Sequence, residues 1–297
     1  MSKRNLALLA ALAATTIYGL NHTIAKGAMP DYVGPFAFIM LRLGGATLLF
    51  WIISVFAPKQ KIEKRDWGRF FACALLGMAI NMLAFFKGLQ LSTPINSSVL
   101  VTITPIIVVI LSAIFIKERV TINKGLGIFL GFVGALTLIL FGAEIRQDAP
   151  NIPLGNSLFV LNATVYGSYL ILVKKLTEKY HPLVLMKWLF TIGFVLVFPV
   201  TYSEFTEIQW TTMPSWVFGV IGFVVIGTTF LTYLFNVFAL QELKASTVGA
   251  FTYVQPVIGI VFALFTGKDN LTLIKILAAC LVLLGVYLAS RKVSAKP

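Results

Sequence analysis

Polar side chains at helical spacing inside long apolar stretches are the residues of this sequence that could do chemistry. In one stretch Tyr18, Asn21 and His22 fall at positions i, i+3 and i+4, so a helix would bring them to one face. A second stretch carries a similar set at i, i+4 and i+7, namely Asn162, Tyr166 and Tyr169. Amide side chains both donate and accept hydrogen bonds, and tyrosine rings cover apolar surface, so both faces favour binding of a neutral or zwitterionic solute.

Four further stretches carry weaker versions of the same pattern. Their candidate residues for contacting a solute are Asn81 and Phe85, Ser97 and Thr104, Thr232 and Asn236, and Thr252 and Gln255. Serine and threonine in membrane helices often bond their own backbone or a neighbouring helix, so packing is the competing interpretation for each of them. For His22, ligand contact and an interhelical bond both stay open, and its imidazole would also permit a proton role.

Arg42 and Lys187 are charged residues within two turns of a predicted helix start. Their long side chains could reach the membrane interface, which we favour for Lys187, whereas for Arg42 a functional role is an equal alternative. Pro105 and Pro256 lie inside predicted helices, where each removes a backbone donor and kinks the helix. We interpret this pair as a hinge.

The sequence carries no signature of an enzyme, a metal site or a nucleotide-binding loop. The Gly-x-x-x-x-Gly-Lys-Ser/Thr pattern is missing, and His22 and His181 are isolated. Cys73 and Cys280 sit in apolar stretches as expected for free thiols. The basic residues punctuate apolar stretches instead of forming a stripe, so no nucleic acid is expected. We predict no enzyme activity, no cofactor and no metal.

Composition explains what positions these polar faces. Hydrophobic residues make up 58% of the 297 residues and charged residues only 12%, about half the share of a soluble domain. The charges leave ten long apolar stretches, most of them near the roughly 20 residues that a helix needs to cross a bilayer. The prediction is an all-α integral membrane protein with ten transmembrane helices, its main partner being the lipid bilayer.

The distribution of lysine and arginine predicts the orientation. With ten crossings both termini lie on one side, and that side and its loops hold 17 Lys and Arg against 4 on the other. Cytoplasmic loops are enriched in these residues. We therefore expect a multi-pass protein of the inner (plasma) membrane with both termini in the cytoplasm.

The chain also repeats itself with an offset of 151 residues. The matched pairs are Gln90 and Gln241, Pro105 and Pro256, Thr121 and Thr272, Lys124 and Lys275, and Gly134 and Gly285. This predicts two repeats, residues 1–146 and 147–297, of five helices each. Because five is odd, the second repeat enters from the opposite side, and inverted repeats are common in secondary transporters.

Several of these motifs resemble the EamA-type family within the drug/metabolite transporters. The segments are 18–21 with Lys26, 91–105, 116–121, 131–134 and 245–256, and Arg42 resembles a basic residue of the family's second helix. The resemblance implies a ten-helix fold, a cavity lined mainly by helices 1, 3, 4, 6, 8 and 9, and transport without ATP. The chain departs from the pattern at residues 268–270 and at Gln255.

These observations predict a secondary transporter that works by alternating access. By its similarity to bacterial ten-helix exporters, we expect it to export small metabolites such as amino acids. Import of a metabolite or cofactor precursor, a channel, and coupling to a proton or ion gradient stay open. The residues expected to contact the small-molecule solute are Asn21 and Tyr166, surrounded by Tyr18, Tyr169, Asn81 and Asn236.

Overall fold

The chain folds as a set of apolar helices. The computed structural model describes residues 2–115, 121–141, 147–243, 251 and 254–290, and within these ranges no β-strand occurs. Eight helical segments are long and apolar enough to cross a membrane, and two further apolar helices, Val254–Phe265 and Leu273–Leu288, are shorter. The protein is thus an all-helical, multi-pass membrane protein.

Among its described residues, the first half of the chain forms seven helices. Their bounds are α1 Lys3–Ala28, α2 Pro35–Ile53, α3 Trp67–Ala74, α4 Asn81–Leu91, α5 Pro94–Val101, α6 Thr104–Phe115 and α7 Ile122–Phe141. A π-helical segment, Leu75–Ile80, joins α3 to α4, so that one continuous span runs through both. Short 3₁₀ turns at Ser54–Phe56 and Lys64–Asp66 flank the connection between α2 and α3.

The second half follows a similar order of helices. Their bounds are α8 Ile152–Thr177, α9 Pro182–Thr206, α10 Ser215–Gly222, α11 Thr232–Glu242, α12 Val254–Phe265 and α13 Leu273–Ser290. Here too a π-helical segment, Phe223–Leu231, joins two helices, α10 and α11.

Helix starts follow local sequence signals. Thr93 accepts a hydrogen bond from the Asn96 amide at 3.3 Å, and Asn151 accepts one from the Leu154 amide at 3.2 Å. Such caps satisfy backbone donors that the first turn leaves unpaired. Proline, which has no N–H to leave unpaired, occupies the first or second position of α2, α5, α8 and α9.

The fourth span is interrupted directly before its proline. The Thr102 and Ile103 amides bond the carbonyls of Val99 and Leu100, both at 3.2 Å, and α6 then begins at Thr104. Pro105 is the second residue of the new helix, where its missing donor costs least. In the second half Pro256 is the third residue of α12 and is buried.

The helix bounds of the two halves correspond at the offset of 151. Asn81 and Leu91 bound α4, and the residues 151 positions later, Thr232 and Glu242, bound α11. The π-helical segment of the first half, shifted by 151, falls inside that of the second half. The starts of α7 and α13 show the same spacing.

Small residues allow close helix contacts, most clearly between α7 and α13. A Cβ atom on Gly134 would lie 2.8 Å from the Val282 side chain, and one on Gly285 would lie 2.6 Å from the Gly127 carbonyl oxygen. Any larger residue would push the two helices apart, so this pair is held by van der Waals packing. Elsewhere α2 packs on α9, α4 on α8, and α1 on both α11 and α12.

The outer surface of the bundle is apolar, as lipid requires. Phe56, Ile122 and Phe265 expose more than four-fifths of their area. The Lys187 ammonium lies 4.5 Å from the ring centroid of Trp51, a cation–π contact. An interfacial role for Lys187 stays a prediction.

Candidate functional site

His22 joins four helices near the middle of the bundle. Its Nδ1 lies 2.5 Å from the Ser97 hydroxyl on α5, its Nε2 lies 3.4 Å from the Gln255 amide nitrogen on α12, and its ring meets Phe85 of α4 edge-on at 5.5 Å. With the Gln255 amide nitrogen facing Nε2, the tautomer that satisfies both contacts has its proton on Nδ1 and donates it to Ser97. These four residues, here called the His22 cluster, use both ring nitrogens.

Asn21, the neighbour of His22 on α1, belongs to a different set of contacts. The Thr228 hydroxyl donates to the Val224 carbonyl at 2.7 Å and lies 3.4 Å from the Asn21 side-chain oxygen, while the Thr228 carbonyl accepts from Arg42 Nη2 at 3.4 Å. Thr228 belongs to the π-helical segment between α10 and α11. It therefore connects α1 to α2 through one residue of the second half of the chain.

Three tyrosines lie near Arg42. Tyr18, Tyr166 and Tyr233 lie near enough to the guanidinium to act on its charge. These residues, with Asn21, are here called the Arg42 cluster. They come from α1, α2, α8 and α11, so both halves of the chain contribute.

Tyr169 extends the Arg42 cluster toward α3. Its ring stacks on that of Tyr166 with centroids 5.6 Å apart. A Cβ atom on Gly77 would lie 2.5 Å from the Tyr169 ring, which is closer than side-chain atoms approach one another. Glycine at this position therefore makes room for the aromatic pair.

The remaining asparagines of the predicted faces lie beside these clusters. Asn162 is buried and donates from its side-chain nitrogen to the Asn81 carbonyl at 2.9 Å, which ties α8 to α4. Asn236 is half-buried, one turn beyond Thr232 on α11.

Two predicted threonines bond backbone carbonyls of the helical segment directly before their own helix. The Thr104 hydroxyl donates to the Val101 carbonyl at 2.9 Å, and the Thr232 hydroxyl donates to the Thr228 carbonyl at 2.7 Å. This is the packing role that competes with solute contact for hydroxyl residues in membrane helices. Thr252, the remaining threonine of the predicted set, lies outside the described residues.

Lys26 is buried where α1 ends. Its ammonium donates to the carbonyls of Leu89 at 2.7 Å, Gln90 at 2.8 Å and Asp148 at 2.5 Å. The side chain thereby holds the ends of α1 and α4 against the segment before α8. The sequence pattern treated it as a loop charge, because its acceptors are backbone atoms that leave no mark in the sequence.

Asp269 closes the same end of the bundle. One carboxylate oxygen accepts from the Ile95 amide at 3.0 Å, at the start of α5, and the other accepts from the Lys275 ammonium at 2.9 Å. Both side chains are fully buried. A carboxylate at a helix N-terminus is favoured by the helix dipole, so Asp269 has a structural role despite the unusual sequence around it.

Two residues at the Arg42 cluster were not predicted from the sequence: Tyr233, which belongs to the cluster, and Thr228, which contacts Asn21 and Arg42. Thr228 and Tyr233 correspond at the offset of 151 to Gly77 and Met82, whose side chains are not polar. The repeat therefore gave no signal for them. A hydroxyl residue inside a strongly apolar stretch was the remaining indication.

The chemistry of both clusters suits binding rather than bond making. They offer amide, hydroxyl, imidazole and guanidinium groups. Within the part of the chain that the structure describes, no group of three or more His, Cys, Asp or Glu could hold a metal ion. Two surface pockets, of about 460 and 530 Å³, lie away from the clusters, one beside Glu204 at the end where α1 terminates and one in an apolar groove between α2, α9 and α10.

The sequence pattern of the EamA-like transporter family matches this chain twice, over residues 5–140 and 153–291. The chain belongs to the EamA-like transporter family. It is accordingly a transporter and not an enzyme, and its family falls within the drug/metabolite transporters, as the motifs predicted.

Similar proteins carry the same general description. An "Uncharacterized transporter" of Archaeoglobus fulgidus is 27% identical over 93% of this chain and 96% of its own length. The "Uncharacterized transporter YoaV" of Bacillus subtilis is 27% identical, with 95% of each chain covered. One solved crystal structure superposes with a TM-score of 0.64 at 17% identity, covering 97% of this chain and 98% of that one, which shows a shared fold.

Proposed function

We propose that this EamA-like protein is a secondary transporter with ten transmembrane helices in two inverted five-helix repeats, residues 1–146 and 147–297. The matching bounds of α4 and α11 and the twofold match to the family pattern support this arrangement. Such repeats exchange conformations to open a central site to either side of the membrane.

The observation that carries the proposal is the Arg42 cluster. Polar groups from both halves of the chain converge there: Arg42 and Asn21 are buried and the tyrosines are half-buried, although each would be costly to expose to lipid. In an alternating-access transporter with inverted repeats the solute site lies between the two repeats, so that it can open to either side of the membrane. Asn21 and Tyr166 are the proposed contacts, with Tyr18, Tyr169, Asn81 and Asn236 around them.

Further parts of the proposal concern direction, energy and movement. Export of small metabolites such as amino acids agrees with the family resemblance. An inner-membrane location with both termini cytoplasmic agrees with the bias of Lys and Arg. No nucleotide motif occurs in the sequence, so gradients of the solute or of an ion would drive transport. Pro105, the second residue of α6, and Pro256, within α12, would act as hinges.

Flux through proteoliposomes tests this function. The purified chain, reconstituted without ATP, should carry a solute from an amino-acid and metabolite panel with saturable kinetics. Uphill flux that persists only with ATP after ion gradients are collapsed contradicts a secondary transporter. Non-saturable flux indicates a channel, and net uptake of the solute into intact cells indicates an importer.

Variants of the cluster test the site. Asn21→Ala and Tyr166→Ala should weaken solute binding about five- to a hundredfold while the melting temperature holds. Thr164→Ala is the matched control on α8, because that hydroxyl bonds only its own helix, at 2.8 Å from the Val160 carbonyl. Normal affinity with reduced stability in the two cluster variants would assign them to helix packing instead.

A further inference from the structure

Arg42 is a buried cation without a buried anion. Its side chain is 8% exposed, and it is the eighth residue of α2. Among the described residues it forms no ion pair, and the ionisable groups that act on its charge are the three tyrosines of the Arg42 cluster. Tyrosine hydroxyls are neutral at physiological pH, since their ordinary pKa is near 10. The cluster therefore holds one uncompensated positive charge.

The guanidinium also has unused hydrogen-bonding capacity. It carries five N–H donors in a planar fork. Nη2 makes a long bond of 3.4 Å to the Thr228 carbonyl, whereas Nε is buried without a hydrogen-bond partner. The Phe86 ring lies 5.9 Å away, and it contributes an attraction for the charge but no acceptor. Buried donors in folded proteins are normally satisfied, so this fork calls for an acceptor.

The surroundings are complementary to a carboxylate with an apolar body. A carboxylate can take two parallel bonds from a guanidinium, and the hydroxyls of Tyr18, Tyr166 and Tyr233 can donate to the same oxygens. Phe86 and the tyrosine rings cover apolar surface. A phosphate would bring a second negative charge that a single guanidinium leaves unbalanced.

We propose that Arg42 binds the carboxylate of the transported solute, with the tyrosine hydroxyls of the Arg42 cluster as additional donors. This inference rests on the proposed transport function and narrows its substrates to molecules that carry a carboxylate, whether zwitterionic or anionic. It also explains why a charge stands at this depth in α2, because the solute supplies the missing anion at each transport cycle.

Isosteric probes test the charge requirement on the unmodified protein. Ligand-dependent melting of the purified chain, at constant ionic strength, is measured with 3-phenylpropanoate, 3-phenylpropanamide and 3-phenylpropylamine, and again with butanoate and butanamide. Each carboxylate should bind about tenfold or more tightly than its amide, and the amine should bind no better than the amide. Equal binding of acid and amide in both pairs, an absence of binding by either acid, or tighter binding of inorganic phosphate would overturn the proposal.

Variants assign the preference to one residue. Arg42→Gln should reduce the ratio of carboxylate to amide affinity to about one, because the remaining uncharged hydrogen bonds do not favour a carboxylate over an amide. Lys187→Gln, which removes a cation stacked on Trp51, should keep the wild-type ratio. A wild-type ratio in folded Arg42→Gln would refute the assignment to Arg42. If that variant fails to fold, the probe comparison on the unmodified chain still decides the charge requirement.

Flux of the same probes separates this inference from the proposed function. Selective carboxylate binding without flux in proteoliposomes would support the carboxylate site and contradict the transport function. Saturable flux of amides at the same rate as acids would support the transport function and contradict the carboxylate site.

Discussion

Lys26 and Arg42 are both cations buried within the first two helices, but the chain treats their charges differently. Lys26 donates to three backbone carbonyls at 2.5–2.8 Å, whereas Arg42 makes one bond of 3.4 Å and leaves Nε unpaired. A cation saturated by the chain fixes helices to one another. A cation that the chain leaves unsaturated is available to a ligand.

The two polar clusters repeat this contrast. In the His22 cluster both ring nitrogens have partners on other helices, so the imidazole works as a connector. In the Arg42 cluster the guanidinium keeps Nε without a hydrogen-bond partner, and the three tyrosines lie near enough to act on its charge. We therefore propose that hydrogen-bond saturation separates a structural role for His22 from solute contact by Asn21, although the two residues are adjacent in α1.

Removing Lys26 should have the largest effect on stability. In Lys26→Met one buried and two partly buried hydrogen bonds to carbonyls are lost, and the expected loss is about 3–5 kcal/mol of the free energy of unfolding, with a fall in melting temperature. The measurement is thermal unfolding of the purified protein in detergent.

Lys87→Met is the matched control for that experiment. Lys87 lies at the same end of the bundle and bonds only the Gln90 side chain, at 2.7 Å. We expect less than about 1 kcal/mol from its loss. If both variants melt alike, the network around Lys26 is not what holds this end together.

Part of the fold and of the candidate site could be predicted from the sequence alone. Apolar stretches and the 151-residue offset predicted the membrane class and the helices that carry polar faces, because hydropathy and repeats are properties of the sequence, and the resemblance of several motifs indicated the family. They did not separate Asn21 from His22 or find Thr228 and Tyr233. Those distinctions depend on which groups meet across helices, and backbone acceptors such as the Thr228 carbonyl exist at every residue.

Breaking the His22 cluster should have an intermediate effect. Ser97→Ala leaves the proton-bearing Nδ1 of His22 buried without an acceptor, and the expected loss is about 1–3 kcal/mol of stability. Ser98→Ala is its neighbour control, since the Ser98 hydroxyl bonds the Pro94 carbonyl of its own helix at 2.8 Å. Unchanged melting of Ser97→Ala, with weakened solute binding, would move His22 from the scaffold to the site.

Arg42→Met should shift stability in the opposite direction from Lys26→Met. Removing an uncompensated buried charge relieves its desolvation cost, so the solute-free variant should be more stable by about 1 kcal/mol. Thermal unfolding without ligand measures this. A loss comparable to that of Lys26→Met would show that the guanidinium is saturated in the free protein, and the contrast between the two cations would fail.

The smallest effect is expected for a saturated cation that faces water. Lys179, between α8 and α9, donates to Asp66 at 2.6 Å and to Glu63 at 2.7 Å. Its hydrogen bond to Glu63, with help from Arg65, holds the pKa of that carboxyl below its ordinary value, while Asp66 and then Glu63 raise the pKa of Lys179.

Both shifts favour the charged forms, so the ion pair contributes fully at neutral pH. For Glu63 the contribution is present above the ordinary pKa of a glutamate, about 4.3, and is lost as the pH falls through the lowered folded-state value. Glu63→Gln should therefore melt slightly below the wild type at pH 7, by less than Ser97→Ala, and the difference should shrink on acidification and in high salt, because water and ions screen an exposed pair. A deficit as large as that of Ser97→Ala, or one that persists at acid pH, would mean that the number of bonds to a cation matters more than its burial. A small, pH-dependent deficit would show instead that saturation of a lysine stabilises this fold strongly only where water is excluded, as it is around Lys26.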